Sequence, residues 1–195
     1  MIQTNKILSM ILVSLLLITC NKEDETKKNL MNLSGKYSDA KPYNYGKAWG
    51  KREFSFENGK WTLFFTLALD PEMKLPVFTF RTLGTFKIEE KSSSVKQAYN
   101  ALFMEEKKFV TLKTNDKNLI QAFRFAECDL EKDVEKDISE KGCSAWKSVS
   151  ECPGDYDLLS LDNEGKLYFG ERPQDNNMCS PDKRPTKLTP PVSKL

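Results

Sequence analysis

Residues 52–69 read REFSFENGKWTLFFTLAL, and this stretch decides the fold class. In its first half Phe54 and Phe56 alternate with polar residues, as expected of a strand that buries one face. Asn58-Gly59 follows, and this dipeptide favours a type I′ hairpin turn, in which both positions take positive φ. The returning half then places large apolar side chains on a single face, namely Trp61, Leu63, Phe65, Leu67 and Leu69. The stretch therefore predicts an antiparallel β-hairpin with one strongly apolar face.

The chain continues with strand patterns after this hairpin. Residues 77–89 predict a long strand with one apolar phase, made by Phe78, Phe80, Phe86 and Ile88. Gly84 lies in the middle of that strand and permits a β-bulge or a sharp bend. Residues 98–104 and 108–114 predict a further pair of strands, with Glu105-Glu106-Lys107 as the turn between them. Residues 156–161 and 166–169 predict a second hairpin around a turn at 162–165.

Two segments interrupt the strands. Asn115 or Asp116 is expected to cap a helix that docks on the sheet through apolar residues at helical spacing, Leu119, Ile120, Phe123 and Ala126. Residues 129–141 are predicted to continue as a second amphipathic helical segment. Residues 170–195 are rich in proline and predict an irregular tail. We therefore expect a mainly β fold, an antiparallel curved sheet or barrel with one or two helices packed on it, because closing the sheet removes its exposed edges.

The N-terminus has the pattern of an export signal. Lys6 precedes an apolar run at residues 7–19, which would reach about 20 Å as a helix, too short for a hydrocarbon core of about 30 Å. Cys20 ends the run and a polar stretch follows, which resembles the bacterial lipoprotein box apart from Thr19, where Gly, Ala or Ser is usual. We therefore predict a signal peptide at 1–19, a lipid on Cys20, a disordered linker through residue 32, and one domain over 33–195. The predicted location is the cell envelope, anchored to a membrane, with the outer membrane favoured and the domain exposed to the periplasm or the cell surface.

The four other cysteines all lie in the C-terminal half, at Cys128, Cys143, Cys152 and Cys179. An even number in an exported chain predicts two disulfides, and three pairings are open. We favour Cys143 with Cys152, which would close a loop around Trp146. A zinc site is the alternative, but no C-x₂₋₄-C pair occurs and the chain has no histidine, so we expect no metal.

Composition excludes several functional classes. The formal net charge is +2, with 30 basic and 28 acidic residues, so no electrostatic basis for nucleic-acid binding is present. Without histidine there is no Ser-His-Asp or Cys-His arrangement, and no Gly-rich phosphate-binding motif occurs. We therefore expect neither enzymatic activity nor a cofactor.

An ordered series of motifs resembles a known extracellular module. The series is Val77-Phe78-Thr79-Phe80, Gly84-Thr85-Phe86, Gly142-Cys143-Ser144-Ala145-Trp146, Asp155-Tyr156-Asp157-Leu158-Leu159, Gly165-Lys166-Leu167-Tyr168-Phe169-Gly170 and Lys183-Arg184-Pro185-Thr186. It resembles the domain of the adenomatosis polyposis coli down-regulated protein family, over roughly residues 35–191. The sequence departs from that pattern at Tyr37, where a Trp is usual, and it lacks a cysteine near Tyr43, so one disulfide of the family is expected to be missing. The resemblance implies a lipocalin-like barrel with an apolar cavity and a role in binding lipidated partners.

Two functions follow from these patterns. The first is binding of an apolar ligand, a lipid or an acyl chain, in a barrel lined by Trp61, Leu63, Phe65, Phe78, Phe80 and Phe86. The alternative is a surface-exposed interaction protein in which those residues fill the core, with partners contacting loops such as 70–76 and 173–185. The expected contacts are the membrane through the anchor and either an apolar ligand or a lipidated partner.

Overall fold

A computed structural model describes residues 25–195 of the chain. The predicted signal peptide, the lipidation site at Cys20 and the first part of the predicted linker lie outside these residues. No helix within 25–195 is long and apolar enough to cross a membrane.

Ten strands form the fold. In chain order they are β1 (Gly35–Asp39), β2 (Tyr43–Asn44), β3 (Trp49–Glu57), β4 (Lys60–Ala68), β5 (Pro76–Lys91), β6 (Tyr99–Leu112), β7 (Glu135–Asp137), β8 (Gly154–Leu161), β9 (Leu167–Phe169) and β10 (Val192–Lys194). Eight of them close into an antiparallel barrel in the order β1-β10-β9-β8-β6-β5-β4-β3, because β3 also pairs with β1. The short strands β2 and β7 add to β3 and β6. The prediction of a mainly β, barrel-like fold is confirmed.

The helices are short and sit against the two ends of the barrel. Residues 25–31 form α1, and α2 spans Lys117–Ala122. Single 3₁₀ turns cover Phe125–Cys128 and Pro181–Lys183. The Asp116 carboxylate caps α2 by accepting from the backbone N–H of Asn118 at 2.8 Å, as expected.

The barrel has two distinct ends. One end, which we call the near end, carries α1, the β3–β4 turn, the β5–β6 loop at 92–98 and the β8–β9 turn at 162–166. The opposite end, which we call the far end, carries the β4–β5 loop at 69–75, α2, and the chain between α2 and β8. Inside the barrel the apolar side chains fall into two clusters, a near core around Phe54, Phe56 and Phe103 and a far core around Phe78, Phe80 and Phe125.

The opening hairpin forms as the sequence predicts. Asn58 and Gly59 take φ of 50° and 75°, which gives the positive values that a type I′ turn requires. The strands pair in register from Glu57 with Lys60 outward, and Phe54 and Phe56 are buried. Leu69 lies beyond the end of β4 and is 39% exposed, so it does not belong to the inner face.

The predicted turn at residues 105–107 does not exist. Strand β6 runs unbroken from Tyr99 to Leu112, and its pairing with β5 shifts between Leu83 and Gly84, so that Glu106 is the extra residue of a β-bulge. Before the bulge the odd-numbered side chains of β6 point inward, and after it the even-numbered ones do. The charged residues at the bulge have the composition of a turn although the strand continues through them. Gly84 faces this bulge so closely that a Cβ there would lie 2.0 Å from the Met104 carbonyl oxygen.

Three further predictions are wrong in detail. Residues 25–31 are helical rather than disordered, because Leu30 and Leu33 are buried in the near core. Residues 129–141 form loops and the short strand β7 instead of a helix, since Asp129 and Asp133 take positive φ. The tail at 170–195 is largely irregular as expected, but it ends in β10, which pairs with β1 and β9 and completes the barrel.

Candidate functional site

All six predicted ligand-binding residues lie on the inward face of β4 or β5. Trp61, Leu63 and Phe86 belong to the near core. The other three, Phe65, Phe78 and Phe80, belong to the far core. The predicted apolar face is therefore real, but it contributes to two separate clusters rather than to one continuous lining.

Side chains occupy the interior at both clusters. In the near core, ring centroids lie 4.1 Å apart for Phe54 and Phe169 and 4.9 Å apart for Trp61 and Phe103. The Trp61 indole N–H donates to the Met104 carbonyl at 3.1 Å, which fixes the ring in place. Such distances are those of packed aromatic pairs.

The far core is packed in the same way by residues outside the barrel strands. The Trp146 ring stacks on Phe80 at 4.7 Å, and Phe123 and Phe125 each lie 5.4 Å from Phe78. These three rings come from the chain that follows α2, and they close the far end. A cleft of about 450 Å³ opens outwards beside α2, and another of about 320 Å³ opens outwards beside α1.

A layer of buried charge separates the two cores, and no sequence pattern indicated it. Register places Leu63, Thr82 and Lys108 side by side across three strands. The Lys108 ammonium lies 2.5 Å from the Glu105 carboxylate, with both side chains almost fully buried. Lys108 also donates to the carbonyls of Lys147 at 3.1 Å and Cys152 at 3.4 Å, and the Thr82 hydroxyl lies 3.1 Å from Glu105.

Two buried aspartates of β8, Asp155 and Asp157, lie opposite Phe103 and Ala101 of the near core. Asp155 pairs with Arg172 at 2.6 Å. The Asp157 carboxylate accepts from the backbone N–H groups of Leu158 at 2.7 Å and Gly170 at 2.9 Å. Burial raises the pKa of Asp157 to about 7, and burial together with the nearby Asp155 also raises the pKa of Glu105.

This cluster does not fit a metal site. Glu105, Cys152 and Asp155 bring potential ligand atoms within 4.8 Å of one another. The Cys152 sulfur, however, is bonded to Cys179 and offers no thiolate. The two carboxylates already pair with Lys108 and Arg172, so the arrangement neutralises charge inside the barrel.

A second buried ion pair holds the tail. Arg52 on β3 contacts Asp39 on β1, with a shortest distance of 2.6 Å. The same guanidinium donates to the Thr189 hydroxyl at 2.6 Å and to the Pro190 carbonyl at 2.8 Å. The pair therefore ties the chain just before β10 to β1, with which β10 pairs, and to β3.

Both expected disulfides form, but the favoured pairing is wrong. Cys128 bonds to Cys143, and Cys152 bonds to Cys179. The loop around Trp146 needs no disulfide, because Cys143 and Trp146 close it with two backbone hydrogen bonds of 2.8 and 2.9 Å. Cys143 is therefore bonded to the 3₁₀ turn that follows α2, through Cys128. Cys152, just before β8, is bonded to the tail through Cys179.

The far end also exposes apolar side chains. Tyr45, Leu69 and Leu75 are 48%, 39% and 60% exposed, and we call these three residues the far-end surface. The Leu69 backbone N–H donates to the Leu75 carbonyl at 3.0 Å, and Tyr45 follows β2, which is separated from β4 by β3 alone. The Tyr45 ring packs on the half-buried Phe65 at 5.9 Å, so the surface is continuous with the far core.

Comparison of the chain with protein-family models and with curated proteins found no match. The resemblance drawn from the ordered motifs therefore stays a prediction. For function the described residues offer a cross-linked barrel, outward-opening clefts beside α1 and α2, and exposed apolar side chains at the far end.

Proposed function

We propose that the protein is an exported lipoprotein, held at a membrane by a lipid on Cys20, that binds a partner protein through the far end of a filled barrel. The observation that supports it best is the packing of the interior. The six residues expected to line a cavity contact other side chains of the chain itself, and both ends of the barrel are covered. The binding surface would then be external.

The far-end surface is the strongest candidate for that contact. Tyr45, Leu69 and Leu75 are all exposed at this end of the barrel, and aromatic and aliphatic side chains of this kind anchor protein interfaces. The Cys128–Cys143 disulfide and the hydrogen-bonded loop at 70–75 reduce the conformational freedom that binding would otherwise remove. The proposal is one of binding and not of catalysis, in keeping with the absence of histidine.

Two disulfides support a compartment outside the cytoplasm, and the lipid anchor is tested separately. Cys20→Ala is expected to release the protein from membranes washed at alkaline pH. If Cys20→Ala stays bound after that wash, the anchor is assigned to the wrong residue.

The partner contact is tested by photo-crosslinking in intact cells. A benzoylphenylalanine in place of Leu75 is expected to give a discrete adduct, and Leu69→Asp in the same chain should remove it. The matched control is the same probe at Glu57, which is exposed at the near end. Identical adducts at both positions, or none at position 75, would contradict the assignment of the far end.

Apolar-ligand binding is the second candidate, and one observation favours it. The cleft beside α1 is lined in part by Leu33, Tyr37 and Leu161, which belong to or pack against the near core. Native mass spectrometry of the domain purified from cells separates the two functions. Co-purified fatty acid or phospholipid would support apolar-ligand binding. A measured mass equal to that of the polypeptide alone would support binding through the external surface.

A further inference from the structure

The starting observation is that α1 is fixed to the near end of the barrel. Its residue Leu30 is fully buried, and Leu33 just after it is 6% exposed. Both side chains lie in the same cluster as Phe54, Phe56 and Phe169. The chain is therefore packed against the barrel from α1 onward, and the predicted flexible linker does not extend through α1.

The distance from the anchor to this fixed point is short. Four residues, 21–24, lie between Cys20 and residue 25, the first described residue of α1. An extended chain spans at most about 3.6 Å per residue, so residue 25 lies within roughly 18 Å of the Cys20 Cα, whatever conformation the four residues take. Lipid on Cys20 would place that Cα at the membrane interface.

The far end is separated from this point by the length of the barrel. Nine residues of β4 connect the two ends, and strands of this length rise about 3.3 Å per residue at a tilt of about 40°. The two ends are therefore more than about 20 Å apart along the barrel axis. Because the tether is shorter than the barrel, the barrel cannot turn over to bring its far end to the membrane.

We infer that the protein stands on the membrane by its near end, with the headgroup surface as the occupant of the α1 side and the far-end surface directed away from the bilayer. The exposed side of α1 suits this contact, because Met31 is 56% exposed and lies three residues after Lys28, which is also exposed. An apolar side chain beside a lysine matches the boundary between acyl chains and phosphates. This inference rests on the lipid anchor of the proposed function.

The test measures how close each end lies to the lipid headgroups. The lipidated full chain, labelled with a nitroxide at Asn163→Cys or at Glu72→Cys, is reconstituted in phosphatidylethanolamine–phosphatidylglycerol vesicles containing a nickel-chelating lipid. Asn163 is exposed in the β8–β9 turn of the near end, and Glu72 is exposed in the β4–β5 loop of the far end. Relaxation by headgroup nickel is expected to be at least fivefold stronger at position 163 than at position 72. Chain without an added cysteine is the labelling control, since the four described cysteines are all in disulfides.

Equal relaxation at the two positions, within twofold, would overturn the orientation. Inserting twenty Gly-Ser residues between Asp24 and Glu25 should reduce the contrast to less than twofold, because the tether then exceeds the barrel length. A contrast that survives the insertion would refute the tether as its cause. Failure of the anchor is recognised separately: the chain then does not sediment with vesicles and carries no acyl mass on Cys20, whereas failure of the orientation alone leaves both intact.

Discussion

The buried pair of Glu105 and Lys108 makes the sharpest prediction about this fold. Lys108→Met removes the only cation in contact with Glu105 that the described residues show, and leaves the carboxylate between the two cores with the Thr82 hydroxyl at 3.1 Å. It also leaves the carbonyls of Lys147 and Cys152 without the ammonium donor. Breaking a buried pair from one side costs about 3–5 kcal/mol.

That cost is large for a single domain, whose free energy of unfolding is about 5–15 kcal/mol. With a urea m-value of about 2 kcal/mol per M, the unfolding midpoint should fall by about 1.5–2.5 M. The assay is urea unfolding with disulfides intact, followed by tryptophan fluorescence and far-ultraviolet circular dichroism. The loss should be smaller at pH 5 than at pH 8, because the pKa of Glu105 is already raised and an unpaired Glu105 would bind a proton in the folded state.

The matched control is the neighbouring lysine. Lys107 pairs with Asp137 at 2.8 Å on the outer surface, where water screens the charges, so Lys107→Met should shift the midpoint far less. Replacing both members of the buried pair, in Glu105→Leu with Lys108→Met, should recover most of the stability, since no charge is then left unpaired. A Lys108→Met midpoint no lower than that of Lys107→Met would refute the buried-pair reasoning.

Three other predictions concern the cross-links, the pH profile and the core. Peptide mapping of unreduced protein should recover Cys152 linked to Cys179, and a linkage to any other cysteine would contradict the pairing. Replacing both cysteines by Ser should lower the free energy of unfolding by about 3–4 kcal/mol, because the disulfide closes a loop of 27 residues. The pKa of Asp157 is about 7 in the folded state and about 3.9 unfolded, so the folded state holds the proton between these values and stability from this group falls as pH rises from about 4 to about 7. Asp157→Asn should flatten that part of a urea-midpoint profile, and an unchanged slope would count against it. Leu63→Trp should destabilise the filled near core by about 1–3 kcal/mol in the same assay, whereas an unchanged midpoint would reveal empty space.

The sequence was sufficient where the determinants are local. Asn58-Gly59 needs only its own backbone preference to form a turn, and the alternation on β3 and β4 needs only that one side of each strand be buried. Asp116 likewise caps α2 through a contact within three residues. Such features depend on neighbours in the chain, so a pattern is enough to predict them.

The charged residues around Glu106 show where local patterns fail. A run of Glu, Glu and Lys has the composition of a turn, and nothing in it signals that Glu105 and Lys108 point inward on either side of a bulge. Their burial becomes favourable only because they meet each other, and that meeting depends on strand pairing. Phe103 and Val110 are both buried although one position is odd and the other even, and a regular strand would place them on opposite faces. That change of phase is the signal for a bulge.

Long-range contacts account for the other differences. The helix at 25–31 is marked in sequence by just two buried apolar residues, Leu30 and Leu33, which is too few to predict docking. The disulfides join residues 15 and 27 positions apart, and which cysteines meet depends on the folded loops between them. The candidate cavity residues were correctly placed on the inward face, but their neighbours across the barrel could not be read from the chain.

The closing strands have a consequence for how the barrel opens. Strand β10 is three residues long, pairs with β1 over three positions and meets β9 at a single position, Val192 with Leu167. By comparison, β5 and β6 are joined over twelve positions. The seam between β9 and β10 therefore pairs over the fewest positions in the closed ring, and the Arg52–Asp39 pair, with its bonds to Thr189 and Pro190, lies beside β10. Amide hydrogen exchange should begin at this seam, since local opening starts where the fewest contacts must break. An opened β9–β10 seam would leave β9 and β10 as free edges, the arrangement from which strand exchange between two copies of a barrel begins.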